Sequence, residues 1–113
     1  MGSSRMTPTT LQILLSLTEG PLHGYGIKLN VSQRTQGEMN LGSGTLYEAI
    51  QRLEEVGWIY PAPSPPQEEA DPRRQYYRLE RAGEEALRNE LVRLDAVVDF
   101  ARRRNLLPRP EEA

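Results

Sequence analysis

Apolar residues set the first element. From Thr7 to Thr18, Leu11, Leu14 and Leu15 recur at helical spacing, with Ile13 and Leu17 widening the face. Pro8 suits a first turn and Gly20-Pro21 a stop, so the pattern predicts a helix of about eleven residues. A second helix is predicted from near Gly24 to about Arg34, where Tyr25 pairs with Leu29 and Ile27 with Val31, and Gly37 ends it. Gly42 or Ser43 can cap a third helix lined by Leu46, Ala49, Ile50 and Leu53. Gly57 stands where a left-handed cap belongs. The period then changes: Trp58-Ile59-Tyr60 and Gln75-Tyr76-Tyr77-Arg78-Leu79 read as two short strands. Between them Pro61, Pro63, Pro65, Pro66 and Pro72, with Glu68, Glu69 and Asp71, rule out a continuous ladder and imply a long hairpin tip.

The last periodic stretch is the longest. From about Arg81 to Arg104, Leu87, Leu91, Leu94, Val98 and Ala101 are spaced 4, 3, 4 and 3, a seam of about two heptads. Such a helix is roughly 35 Å long, more than a three-helix unit can cover, so part of the seam is expected to meet another chain. Arg102-Arg103-Arg104 suits the helix C-terminus electrostatically. The expected fold is mainly α with a small β-hairpin: a winged helix-turn-helix over residues 7–80 and a long C-terminal dimerisation helix over 81–107. Residues 1–6 read as an added leader or disordered N-terminus, and 108–113 as a tail.

Composition narrows the function. A chain of 113 residues is one domain's worth, and at 37% hydrophobic it closes one modest core. It has no cysteine and one histidine, His23, which excludes thiolate sites, His-rich metal clusters and any nucleophilic relay on another histidine. No catalytic, metal or cofactor site is expected, and the chain is not expected to be an enzyme. Without a membrane-spanning stretch or signal core, a cytoplasmic protein is expected.

The net charge of −2 argues against binding nucleic acid through bulk charge. Its distribution matters more, because four arginines against the single acid Glu80 fall between Arg73 and Arg81. Arginine favours forked bonding to phosphate or carboxylate.

The segments Ile13-Leu14-Leu15 with Glu19-Gly20-Pro21-Leu22-His23-Gly24-Tyr25-Gly26-Ile27, then Gly44-Thr45-Leu46-Tyr47 with Arg52-Leu53-Glu54-Glu55-Val56-Gly57, then Asp71-Pro72-Arg73-Arg74-Gln75-Tyr76-Tyr77-Arg78-Leu79, resemble the PadR family of transcriptional regulators. The likeness runs from about Met6 to Leu107, and the single last helix resembles the family's small subgroup. The resemblance implies a homodimeric winged-helix repressor on double-stranded DNA, with the last helix and the first, through Leu11 and Leu15, building the interface. It also implies a small aromatic or drug-like effector, which Trp58 could stack unless it is simply core. Two departures stand out: Gly42-Ser43 replaces the family's Ser-Pro before the third helix, and Glu80-Arg81-Ala82-Gly83 replaces a Thr-led cap. The proline-rich tip is also long for the family.

On the third helix Thr45, Glu48, Gln51, Arg52 and Glu55 point away from the apolar side. Gln51 and Arg52 are candidates for base or phosphate contact, against an ordinary solvated face. This helix is net acidic, so its first turn, Ser43, Gly44 and Thr45, is the better phosphate-facing part. Tyr47 is open between a half-buried ring and a phosphate contact. Arg73 and Arg74 are the leading DNA contacts, the alternative being an ion pair with Asp71 or Glu69. Strand alternation makes Tyr77 core and Tyr76 the exposed DNA candidate. For His23 a helix-turn role is preferred to metal binding or pH sensing. The competing function is a winged-helix protein-interaction module that does not touch DNA.

Overall fold

The computed structural model describes residues 6–68, 71–108 and 111. Most of the expected leader and tail, and Glu69, lie outside them.

Helix α1 spans Pro8–Ser16, with Pro8 in its first turn and the Thr7 hydroxyl accepting from the Thr10 amide at 3.1 Å. It is shorter than expected, because Leu17 and Thr18 already bond only three residues back, to Leu14 and Leu15. Strand β1, Leu22–His23, leads into α2, Gly24–Arg34. Then come α3, Ser43–Glu55; β2, Ile59–Ala62; β3, Tyr76–Leu79; and α4, Arg81–Arg103.

The fold is the winged helix-turn-helix with one addition. Two strands were expected, but the antiparallel sheet has three, in the order β1-β3-β2. Leu22 pairs with Tyr77 and His23 with Tyr76, so β3 is the central strand. Two residues carry no readable period, which is why β1 escapes a pattern search. It forms because β3 would otherwise expose an unpaired edge.

The core joins Ile13 and Leu14 of α1, Ile27 and Val31 of α2, Leu46, Ala49, Ile50 and Leu53 of α3, Ile59, Tyr77 and Leu87. Polar bonds fix the first two helices. Arg34 donates to Asn30 Oδ1, to Gln12 Oε1 and backbone oxygen, and to Ser16 Oγ, all within 2.6–2.8 Å. At the end of α3, Gly57 takes φ +82°, and the Trp58 amide bonds back to the Leu53 carbonyl at 2.9 Å. This closure turns the chain into β2.

Helix α4 docks by its first two turns only, where Gly83 and Leu87 are its buried residues. Leu87, expected in the seam toward a second chain, is 3% exposed within its own core. That expectation is corrected: the helix must spend its first seam position on the sheet corner before it can leave the domain. Leu91, Leu94, Val98 and Ala101 lie beyond and are only partly covered, as are Leu11 and Leu15 of α1.

Candidate nucleic-acid interface

Helix α3 presents Ser43, Gly44, Thr45, Tyr47, Glu48, Gln51, Arg52 and Glu55 to solvent, opposite its buried apolar side. Gly42 occupies the N-cap without a side-chain bond, and Ser43 is the first helical residue. The amides of the first turn therefore remain open to an anion, with the positive end of the helix dipole behind them.

Tyr47 is exposed, and its hydroxyl rests over Gly24, where any Cβ would come within 2.8 Å of it. The start of α2 is thus shaped to let the α3 tyrosine lie across it. A cleft of about 230 Å³ opens there, lined by His23, Gly24, Tyr25, Tyr47, Arg73, Arg74 and Gln75. Wing and third helix converge on this cleft: Tyr47 and the distant pair Arg73 and Arg74 line it together. Arg52 does not join them; it borders a second cavity with Thr10, Leu53, Glu55 and Val56.

Tyr25 and Gln75 are cleft residues that reading the sequence misses. A signal is available for Tyr25, since the pairs Tyr25–Leu29 and Ile27–Val31 lie two residues apart and so on opposite helix sides, and only one can face the core. The structure buries Ile27 and Val31 and leaves Tyr25 60% exposed.

The wing arginines hold an internal partner. Asp71 Oδ1 accepts the Arg73 amide at 3.0 Å and Nε at 3.2 Å, Oδ2 accepts Nη2 at 3.3 Å, and Arg74 Nε lies 3.8 Å from Oδ2. These bonds from Arg73 hold the Asp71 carboxyl below its ordinary pKa.

Tyr76 is not the exposed residue expected; it is 2% exposed. Both faces of β3 are covered at this point. The ring of His23 on β1 meets Tyr76 edge-on at 5.1 Å, and the tip folds back so that the Tyr76 hydroxyl donates to Glu68 at 2.6 Å. That bond, first among the causes, raises the Tyr76 pKa. Simple alternation fails here because it assumes a solvated outer face. Tyr76 positions the wing and is removed from the surface candidates.

His23 takes the helix-turn role. Its Nδ1 accepts the Gly26 amide at 3.1 Å and caps α2. Burial lowers its pKa, and Arg74 adds to this while Glu68 and Asp71 oppose it. Because the native value lies below the unfolded one, the stabilisation from keeping the buried imidazole neutral is complete above about pH 6.5 and is lost as pH falls from there through the native value. Acidification from pH 7 to 5.5 is expected to lower the melting temperature of the wild type more than that of His23→Asn, which caps without titrating. Parallel slopes in thermal melts of the two proteins would show that the fold does not hold His23 neutral.

Trp58 is half-buried against the core, and its carbonyl accepts the Glu80 amide at 2.9 Å. Among the described residues no group of three or more His, Cys, Asp or Glu could hold a metal, and no helix is long and apolar enough to cross a membrane.

A family model described as the transcriptional regulator PadR-like family matches residues 13–89, from the core of α1 through the third helix and wing to just past Leu87 of α4. The chain belongs to that family. PadR-like proteins regulate transcription and are not enzymes. This PadR-like chain is 25% identical to a transcriptional regulator from Clostridium thermocellum, covering 84% of this chain and 87% of that one at a TM-score of 0.68. A PadR family regulator from Clostridium difficile is 23% identical over 86% of this chain and 97% of its own, with a TM-score of 0.69. Bacillus subtilis PadR, solved in complex with operator DNA, is 20% identical over 74% of this chain and 46% of its own, with a TM-score of 0.61. No curated protein matches the chain.

Proposed function

We propose that this PadR-like chain is a cytoplasmic, homodimeric repressor that reads a pseudo-palindromic operator in double-stranded DNA. Two α3 helices enter successive major grooves and two wings rest on the flanking backbone, with half-sites about one helical turn apart. Residues 7–80 form the DNA-binding domain and 81–107 the dimerisation helix. The observation that carries the reading is the cleft where Tyr47 of α3 meets Arg73 and Arg74 of the wing. Phosphate held there would fix the register of α3, leaving Ser43, Gly44, Thr45, Gln51 and Arg52 to the groove and its edges. Support also comes from Bacillus subtilis PadR, which shares the fold and was solved on operator DNA. A small aromatic or drug-like effector completes the proposal, a part that rests on the family resemblance and on the half-buried indole of Trp58.

Selection from a randomised duplex pool at near-physiological salt is expected to enrich a palindrome. Arg73→Ala/Arg74→Ala should bind it at least tenfold more weakly, with the salt slope reduced by about 0.9 for each phosphate that is no longer neutralised. Failure to enrich any site by a folded, dimeric protein, or a complex indifferent to salt, would overturn the reading.

A further inference from the structure

The chain re-enters β3 through a turn that Asp71 organises. One of its oxygens accepts both the amide and Nε of Arg73, and the other accepts Nη2, so the carboxylate fills the fork of that guanidinium while also lying against Arg74. Carboxylate and phosphate offer a guanidinium the same pair of oxygens. Arg73 is therefore already engaged as it would be by a backbone phosphate, with Arg74 drawn toward the same carboxylate.

The two ends of this contact differ. The Asp71 side chain is 23% exposed and tied to the Arg73 amide, whereas the Arg73 side chain is 89% exposed. The carboxylate is an anchored post and the guanidinium a free arm that can swing away without unmaking the turn. DNA can win the exchange, because its phosphates act as an array and release counterions, and Asp71 offers one charge without that gain.

We propose that Asp71 is an internal substitute for a DNA phosphate. It holds Arg73 and Arg74 in the free protein and has to be displaced on binding, which lowers the affinity of the wing for DNA of any sequence. Asp71 is thus a positioning residue acting through the two arginines, and the inference rests on the DNA-binding function proposed above. The component of binding that it controls is the sequence-independent one, since phosphate contacts carry no sequence information.

Asp71→Asn tests this, because the amide oxygen keeps the bond to the Arg73 amide while the charge is removed. Binding to operator and to random duplex is expected to tighten alike, by about tenfold at near-physiological salt, with the salt slope unchanged because the same phosphates are neutralised in both complexes. A purely structural role would loosen the turn and weaken binding to both duplexes instead of tightening it. The gain should vanish when Asp71→Asn is placed in the Arg73→Ala/Arg74→Ala background. DNA binding by the wild type with unchanged or lower affinity in Asp71→Asn, or a gain that survives removal of both arginines, would overturn the role of Asp71 alone. No DNA binding by either protein would overturn it together with the function on which it rests.

Discussion

Gly83→Ala is expected to destabilise the protein by about 3 kcal/mol, with the melting temperature falling by roughly 10–20 °C at fixed protein concentration. In an ordinary helix interior the same change would stabilise by about 1 kcal/mol, so the sign alone is diagnostic. The reason lies in how α4 meets the corner between α3 and β2. A Cβ on Gly83 would collide with the Trp58 carbonyl oxygen and stand 2.9 Å from its carbon and 3.0 Å from the Trp58 Cα. These are backbone atoms with no room to yield, because the Trp58 carbonyl accepts the Glu80 amide and the Trp58 amide closes α3 on Leu53. Relief requires α4 to move outward by about an ångström, which opens the Glu80–Trp58 bond and loosens Leu87, the one α4 side chain buried in the core. Unchanged or raised thermal stability of Gly83→Ala would show that α4 does not dock by this contact.

That glycine also marks where sequence legibility ends. The sequence displays Gly83 beside the departure from the family's capping pattern, yet nothing in it names the carbonyl that the glycine must avoid. What could be read rests on period and punctuation: Leu46, Ile50 and Leu53 give α3, Gly57 its closure, and the long seam gives α4. What could not be read depends on neighbours distant in the chain. Strand β1 exists only because β3 has an edge to pair. Tyr76 is buried only because His23 and Glu68 arrive from two sides. Leu87 has the spacing of a seam residue and the surroundings of a core residue. At the site, Arg73, Arg74 and Tyr47 are identifiable by type and motif, but their shared cleft depends on Gly24 being small enough for Tyr47 to lie across it. The two alternatives for Arg73, phosphate or Asp71, are compatible: the free protein shows the carboxylate.

Leu94→Glu/Val98→Glu is expected to convert the protein to a monomer and to weaken operator binding by at least a hundredfold while leaving the winged domain folded. Helix α4 runs for 23 residues, but the single chain buries it only at Gly83 and Leu87. Farther along, Leu94, Val98 and Ala101 are half-buried, and Leu91, Val97 and Phe100 are 39%, 53% and 58% exposed. At 100° per residue Leu91, Leu94, Val97, Val98 and Ala101 fall on one stripe, with Phe100 at its margin. Complete burial of such side chains is worth about 1.5–3 kcal/mol each, so covering what remains exposed on two copies supplies several kcal/mol. Two glutamates per chain would bring four carboxylates into that contact, each costly to bury without a partner. The operator effect follows because a monomer engages one half-site and forfeits the joint binding of two. Val92→Glu is the control: Val92 is 71% exposed but lies on the far side of α4 from the stripe, so a generally hydrophobic helix would respond to it and a specific seam would not. Mass by light scattering at several concentrations, with circular dichroism to confirm folding, separates the cases. A double variant that stays dimeric, or a Val92→Glu protein that dissociates equally, would remove the seam from the proposal and with it the spacing expected of the operator.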